Sequence, residues 1–322
     1  ATVADLQRKM QAGSLTSRAL VQAYLDRIAA VDRAGPALNA IIELNPDALK
    51  DADTLDAERK AGKIRGPLHG IPILLKDNYE THDMPTTAGS QLLKGSVPAA
   101  DGFVVKRLRD AGAVIVAKVN MNEFAGSGGM VNGARDPEIV KKGRAQAGFS
   151  SMGGQTHNPH DTSRVPSSSS GGTGASIAAG FAQFGTGTDT GGSIRGPSSV
   201  NGIAGLKTTW GLVSRAGIVP LALSLDTAGP IARNVTDLAV ALGVMAGRDP
   251  NDSATDLGAS HAARAKSSGW YAALYNALMM AGLGLAYEKT GNRVKAAESY
   301  QRALVIDPNN SVARSGASRM KV

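Results

Sequence analysis

Residues 166–197 read PSSSSGGTGASIAAGFAQFGTGTDTGGSIRGP, a serine-rich turn and a second glycine-rich turn separated by small residues. Glycine is favoured where the backbone takes a positive φ or approaches a ligand closely. Serine places a small nucleophilic or proton-passing hydroxyl against such a backbone. An ordinary core segment needs neither, so this stretch predicts the functional site. Between the two turns we expect a small-residue helix over 173–183 and a strand over 184–188.

The residues before this stretch predict an α/β sheet. A buried strand is expected at 70–75, GIPILL, which ends in Lys76-Asp77-Asn78. A helix over 102–112, ended by a glycine, precedes a second buried strand over 113–117. Strand, helix and strand in this order form a βαβ unit, which predicts parallel strands with helices on both faces. Paired amphipathic helices are expected in the first 35 or so residues, with Thr16 or Ser17 as a cap.

Composition excludes several classes of protein. The 322 residues contain no cysteine, which excludes disulfides, a thiolate nucleophile and cysteine-ligated metals. The net charge is +8, but the basic residues are scattered and lack an aromatic platform, so we expect no nucleic-acid partner. Because no apolar run approaches the length of a membrane span, we expect a soluble protein without a membrane partner. Its compartment stays open between the cytoplasm and export.

The character of the chain changes near residues 250–268. We predict two domains, over 1–257 and 258–322. Within the second, about 275–308 is similar to one tetratricopeptide repeat, a helical hairpin with a turn at Gly291-Asn292 and a stop at Asp307-Pro308. A single repeat cannot bury its apolar face alone. The hairpin is therefore expected either to pack on the rest of the chain or to bind a protein partner or a second copy.

Three residues carry the chemistry predicted from the sequence: Lys76 after its strand, Ser169 in the serine tract and Ser193 in the second glycine turn. A serine hydroxyl needs a base, and no histidine lies in a recognisable partner motif. Lysine can act as that base if burial lowers its pKa from about 10.4 to about 7.5.

These segments resemble the amidase signature family of serine hydrolases. The resemblance covers about residues 3–257 and includes the 24-residue interval between Ser169 and Ser193. It implies a mixed sheet flanked by helices and an amide hydrolase without metal or cofactor, acting on a small or peptide amide. Ser193 would attack the carbonyl, Ser169, behind a cis peptide bond, would relay its proton, and Lys76 would be the final base.

The resemblance implies roles for the surrounding loop as well. Backbone N–H groups would form the oxyanion hole, and side chains beside them would brace the loop without reacting. The predicted oxyanion donors are Thr190, Gly191, Gly192 and Ser193. The predicted bracing residues are Ser170, Asp189 and Arg195.

The chain departs from the family pattern in two short segments and in its length. Ser167-Ser168 stand where the family usually has two glycines, so a positive φ there would be strained. Lys207-Thr208-Thr209 replaces the usual Lys-Pro-Thr, which should loosen a turn. Family members generally continue with a further segment that completes the sheet and much of the acyl pocket, so a shortened site is expected.

Two other functions compete with the hydrolase. One is a catalytically impaired amidase fold that presents the helical hairpin to a protein. The other is a phosphate cradle made by the glycine turns, but no Gly-Lys-Ser/Thr follows them. The pair His157 and His160 lacks a third ligand, so it predicts surface residues and not a metal site.

Overall fold

The structure is a computed structural model that describes residues 1–126, 130–131, 134–135, 147–256, 293–306 and 311–320. The helices are α1 (Val3–Gln11), α2 (Ser17–Val31), α3 (Ala48–Lys60), α4 (Phe103–Asp110), α5 (Gly171–Ala179), α6 (Arg195–Val200), α7 (Val235–Met245), α8 (Arg293–Ile306) and α9 (Ser311–Met320). Single 3₁₀ turns lie at Gln91–Leu93 and Glu123–Ala125. The strands are β1 (Ile41–Leu44), β2 (Ile71–Lys76), β3 (Ala113–Val119), β4 (Met130–Val131), β5 (Ala134–Arg135), β6 (Phe149–Ser150), β7 (Gly154–Gln155), β8 (Phe184–Asp189), β9 (Ala204–Gly205) and β10 (Thr227–Ala232).

Six strands form one mixed sheet in the order β1-β3-β2-β8-β10-β9. The three central strands, β3, β2 and β8, are parallel, whereas β1, β10 and β9 pair antiparallel. The mixed sheet flanked by helices is therefore confirmed, and its antiparallel strands lie outside the parallel centre that the βαβ unit predicted. The carboxyl ends of β2 and β8 meet at one edge, the usual place for a site in an α/β sheet.

Helices cover both faces of the sheet because the central strands are apolar on both sides. Ile71, Ile73 and Leu75 of β2 pack with residues of α1, α4 and α7, while Leu74 packs on the other face with α2, α3 and α5. Every residue of β2 and β3 is buried. Continuous burial of this kind is what parallel strands require, and it explains why both were predictable as apolar runs.

Helix ends follow the local sequence closely. Thr16 caps α2 by accepting a hydrogen bond from the backbone of Ala19, which confirms one of the two predicted caps. Gly112 ends the turn after α4 with a φ of +86°, and a Cβ there would lie 2.6 Å from the Cα of His69. The helix expected over 173–183 was predicted too long, because Gly180 takes a φ of +76° and ends it at Ala179.

Contacts divide the chain into two units, Ala1–Gly258 and Ala259–Val322. In the second unit α8 and α9 pack through small residues around one aromatic ring. That cluster contains Ala296, Tyr300, Ala303, Ala313 and Ala317. Gly316 is required there, because a Cβ would lie 2.1 Å from the Tyr300 ring. The first helix of the predicted repeat and the turn at 291–292 lie outside the described residues, so the repeat stays a prediction.

Within the residues that the structure describes, a search for helices long and apolar enough to cross a membrane found none.

Candidate active site

Lys76 ends β2 in the interior of the protein. Its side chain is fully buried, and its Nζ donates hydrogen bonds to Ser169 Oγ at 2.7 Å and to Thr188 Oγ1 at 2.6 Å. Thr188 belongs to β8, the strand next to β2, and Ser169 comes from the turn before α5. Two neighbouring strands and one turn thus converge on the amine.

The environment of Lys76 favours its neutral form. Burial lowers the pKa of Lys76 from 10.5 to about 7, while the negative charges of Asp189 and Asp226 act in the opposite direction. Such a lysine is half deprotonated near neutral pH, which is the condition for a general base. The pKa expected from the sequence for a buried lysine, about 7.5, has the same direction and a similar size.

The serine tract is held in place by backbone hydrogen bonds. The peptide bond between Ser168 and Ser169 is cis. Ser169 is buried, and its carbonyl accepts a hydrogen bond of 3.1 Å from the backbone N–H of Asn122. The backbone N–H of Ser170 donates to the carbonyl of Ser193 at 3.2 Å. The half-buried Ser193 is therefore tied directly to the residue that follows Ser169.

Asp189 organises the loop that carries Ser193. Its carboxylate accepts backbone hydrogen bonds from Gly192 at 2.7 Å and Ile194 at 3.0 Å, and side-chain bonds from Arg195 at 3.1 and 3.2 Å. Burial by itself would raise the pKa of Asp189, but the Arg195 guanidinium and these N–H groups outweigh it, so the pKa lies well below its usual range. The carboxylate is charged throughout the physiological range.

The predicted oxyanion donors divide into two groups. The Gly192 N–H is already donated to Asp189. The N–H groups of Thr190, Gly191 and Ser193 donate to no acceptor in residues 1–126 and 147–256. A Cβ on Gly191 would meet nothing within 4 Å, so this backbone borders open space. The prediction that all four groups point to a ligand therefore needs a correction at Gly192, whose N–H braces the loop in this structure.

Sequence reasoning missed two residues that contact the site. Thr188 is bonded to Lys76 Nζ, but nothing in its sequence distinguishes it from the other threonines of β8. Asp226 accepts a hydrogen bond from Thr190 Oγ1, although it lies 36 residues further along the chain. Its position just before β10 could only have been interpreted if that strand, which contains Pro230, had been predicted as the antiparallel neighbour of β8.

A second buried lysine lies on the neighbouring strand. Lys118 donates to the Pro85 carbonyl at 3.0 Å and to Thr86 Oγ1 at 2.9 Å, and its Nζ is 3.4 Å from Asp77 Oδ1. The other oxygen of Asp77 accepts from the backbone of Gly89 at 3.1 Å. These contacts fix the loop that follows Lys76.

The short departures from the family pattern have direct structural counterparts. Ser167 takes a φ of +65°, so the strain expected at this position is present. Lys207 does not loosen the site, because its Nζ donates to the Asp189 carbonyl at 2.8 Å. Thr208 Oγ1 donates to the Ala228 carbonyl at 2.9 Å, which ties this turn to β10.

The remaining polar clusters are satisfied internally. His157 Nδ1 lies 2.8 Å from the Thr162 carbonyl, and His160 Nε2 lies 2.9 Å from the Asn201 carbonyl, so each ring is used by its own loop. One group in the described residues has the spacing of a metal site: His82, Asp83 and Asp101. Arg109 approaches both carboxylates of that group, to 2.6 and 3.0 Å, and neutralises them.

Comparison with known proteins gives consistent matches. Residues 19–301 match the family model described as Amidase. The crystal structure of native peptide amidase from Stenotrophomonas maltophilia is 52% identical, with a TM-score of 0.74, over 80% of this chain and 50% of that one. The catalogued glutamyl-tRNA(Gln) amidotransferase polypeptide from Acidothermus cellulolyticus is 44% identical over 78% of this chain. A putative amidase from Schizosaccharomyces pombe is also 44% identical over 78% of this chain.

The relatives are longer proteins. The match covers 46% of the Acidothermus cellulolyticus protein and 41% of the Schizosaccharomyces pombe protein. The chain thus spans about half the length of the curated relatives it matches. The shared half contains every residue of the site described above.

Proposed function

The chain belongs to the amidase family, and on that basis we propose that it hydrolyses amides with Ser193 as the nucleophile, Ser169 as the proton relay and Lys76 as the base. One observation carries this proposal. Lys76 Nζ lies 2.7 Å from Ser169 Oγ in a fully buried site that lowers the pKa of the lysine to about 7. A buried lysine without a carboxylate partner costs stability, and a base for serine chemistry accounts for that cost.

In the first step Ser193 Oγ forms a bond to the carbonyl carbon of the amide. Its proton passes to Ser169 Oγ, whose own proton passes to neutral Lys76 Nζ. The hydrogen bond from Ser170 N–H to the Ser193 carbonyl keeps the two turns adjacent, which supports the relay. The carbonyl oxygen becomes an oxyanion, and the free N–H groups of Thr190, Gly191 and Ser193 are its proposed donors.

The carbon–nitrogen bond then breaks. The proton on Lys76 returns through Ser169 to the leaving nitrogen, which departs as ammonia or an amine. An acyl ester remains on Ser193. Water attacks this ester by the same path, giving up a proton to Ser169 and Lys76, and the carboxylic acid is released as Ser193 regains its proton.

Asp189 and Thr188 support these steps without reacting. Asp189 holds the turn of Ser193 through the backbone of Gly192 and Ile194. Thr188 Oγ1 accepts from Lys76 Nζ, which leaves the amine lone pair for Ser169 once the lysine is neutral. The names of the relatives include a peptide amidase, so we propose small or peptide amides as the substrates.

The test is ammonia release from a panel of small amides and one peptide amide at about pH 8, with Ser193→Ala as the matched variant. We expect release that disappears in the variant. Circular dichroism confirms that both proteins are folded.

Two results would count against the proposal. Equal release from both proteins would exclude Ser193 as the nucleophile. No release from either folded protein would favour the alternative, an impaired amidase fold whose role lies in protein binding.

A further inference from the structure

A cavity lies directly beside the proposed base and nucleophile loop. One side of it contains Asn78, Thr188 and Thr190. The opposite side is a continuous apolar segment, which we call the apolar wall: Ile218, Val219, Pro220, Leu221 and Leu223. Because Thr188 contacts Lys76 and Thr190 begins the loop of Ser193, a substrate amide bound at Ser193 has its neighbouring groups next to this wall.

The apolar wall exposes its leucines while its backbone is held in place. The side chains of Leu221 and Leu223 are 51% and 57% exposed. The backbone N–H of Leu221 donates to Asp226 at 2.9 Å, and the carbonyl of Leu223 accepts from Trp210 Nε1 at 3.1 Å and from Arg215. Exposed apolar side chains on a well-anchored segment mark a binding surface.

The wall is coupled to the proposed site at both ends. The backbone N–H of Val219 donates to the carbonyl of Asn78, two residues after Lys76, at 2.9 Å. At the other end Asp226 accepts from Leu221 with one oxygen and from Thr190 Oγ1 with the other. The wall therefore continues the surface of the proposed site.

The charged residues that line the cavity are already paired. Arg215 donates to Asp252 from two of its nitrogens, at 2.9 and 2.5 Å. Asp226 accepts from Thr190 and from the backbone of Leu221 and Ala222. Among the lining residues, neither charge is left for an ionic substrate group. An uncharged group fits this cavity better than a carboxylate or an ammonium.

One polar atom in the cavity lining lacks a partner. Asn78 is 2% exposed, and its Oδ1 accepts no hydrogen bond from the described residues. Its Nδ2 faces the Val219 carbonyl at 3.4 Å, which can only accept, so the orientation of the amide is fixed. A buried acceptor without a partner is costly, and an N–H group of a ligand would satisfy it.

We infer that the apolar wall is a substrate subsite for an uncharged apolar group next to the reacting carbonyl, as in the amide of an N-acylated leucine or phenylalanine. This inference rests on the proposed function, since it places the reacting carbonyl at Ser193. It selects against amides that carry a carboxylate at this position.

The experiment measures kcat/KM for N-acetyl-leucinamide, N-acetyl-alaninamide and the α-amide of N-acetyl-aspartic acid. We expect a preference of about tenfold or more for the leucine amide over the alanine amide, because each methylene in an apolar pocket gives about tenfold or more. Leu223→Ser should remove most of that preference and leave the alanine amide within about twofold.

The matched control is Leu225→Ser. Leu225 lies two residues further along and is 58% exposed, but it does not line the cavity. It should leave both rates unchanged. Equal effects of the two variants, or an equal loss on both substrates in Leu223→Ser, would overturn the subsite. If that equal loss comes with a changed oligomeric state by size-exclusion chromatography, the wall is an interface between copies.

Failure of the subsite and failure of the proposed function are distinguishable. An active protein without the leucine preference overturns only the subsite. If the protein releases no ammonia, titration of N-acetyl-leucinamide into the Ser193→Ala variant still decides the subsite. Binding weakened about tenfold by Leu223→Ser supports it, and binding that is absent or indifferent to Leu223 overturns it.

Discussion

Lys76 Nζ and Ser169 Oγ, which are 93 residues apart in the chain, lie 2.7 Å from each other in the interior of the protein. The contact requires that β2 and the turn before α5 meet beside β8. It also requires that a lysine be buried without a salt bridge at its amine among the described residues. The predictions below follow from this contact and from the loop beside it.

The pH dependence of activity should follow the deprotonation of Lys76. Because the base must be neutral and burial lowers its pKa to about 7, kcat/KM should rise about tenfold per unit below about pH 7 and level off by about pH 8. Stopped assays of ammonia release from about pH 5 to about pH 10 measure this. Lys76→Ala should lower kcat at least about a thousandfold.

The variant Asp226→Asn is the control for that profile. The charge of Asp226 raises the pKa of Lys76, so its removal should shift the midpoint to lower pH. A flat profile from about pH 6 to about pH 10 in an active protein would exclude Lys76 as the base.

Replacing the buried lysine should stabilise the protein at neutral pH. The unfolded chain keeps the lysine proton up to a pKa of 10.5, whereas the folded protein releases it at a pKa of about 7. Between these values the unfolded state binds more protons, so the stability due to this group rises with pH. The penalty is therefore complete below about pH 7 and disappears toward pH 10.5.

Lys76→Met removes that penalty. At about 1.36 kcal/mol per pKa unit, less the two hydrogen bonds lost, it should raise the free energy of unfolding by on the order of 3 kcal/mol at about pH 6. Urea unfolding at about pH 6 and about pH 10 measures the difference, which should be much smaller at the higher pH. A variant less stable than the parent at the lower pH would contradict the prediction.

Asp189 should matter far more than its partner Arg195. Asp189→Asn removes the charge that collects the backbone of Gly192 and Ile194, so we expect kcat to fall about a hundredfold or more with little change in KM. Arg195 is 57% exposed at its side chain, so Arg195→Ala should change kcat only a few-fold. Steady-state kinetics on one amide compare the two. Equal losses would mean that the ion pair, and not the backbone contacts, holds the loop.

Ser167 offers a simple test of backbone strain. Its φ of +65° costs a non-glycine residue about 1 to 2 kcal/mol, part of which glycine recovers at an entropic cost in the unfolded chain. Ser167→Gly should therefore raise the free energy of unfolding by about 0.5 to 1 kcal/mol. Ser168→Gly is the control, because Ser168 does not take a positive φ, and it should lower stability slightly. Thermal unfolding of the two variants should shift in opposite directions.

The sequence predicted the centre of the fold well because that centre is locally encoded. The apolar runs of β2 and β3 are buried on both faces, and the glycine after α4 takes the positive φ that ends a helix. β10 was not predicted, since the sequence TAGPIA lacks the apolar run of a buried strand and contains a proline. Its pairing with β8 depends on tertiary contacts.

The site divides in the same way. Lys76, Ser169 and Ser193 were predictable because a family resemblance joins segments that are distant in the chain. Thr188 and Asp226 were not predictable, because their roles depend on which atoms face them across the sheet and the loop. The use of the Gly192 N–H by Asp189 could not be predicted either, since the sequence does not show which backbone groups an internal carboxylate takes.

The sheet order places the whole proposed proton path on β2, the serine turn and the end of β8, between residues 76 and 193. The proposed recognition surface instead comes from the later segment 218–223, attached through a few polar contacts. Reaction and recognition are thus encoded in separate, consecutive blocks of the gene. Evolution, or a protein engineer, can exchange the second block for a new substrate while the first is inherited unchanged.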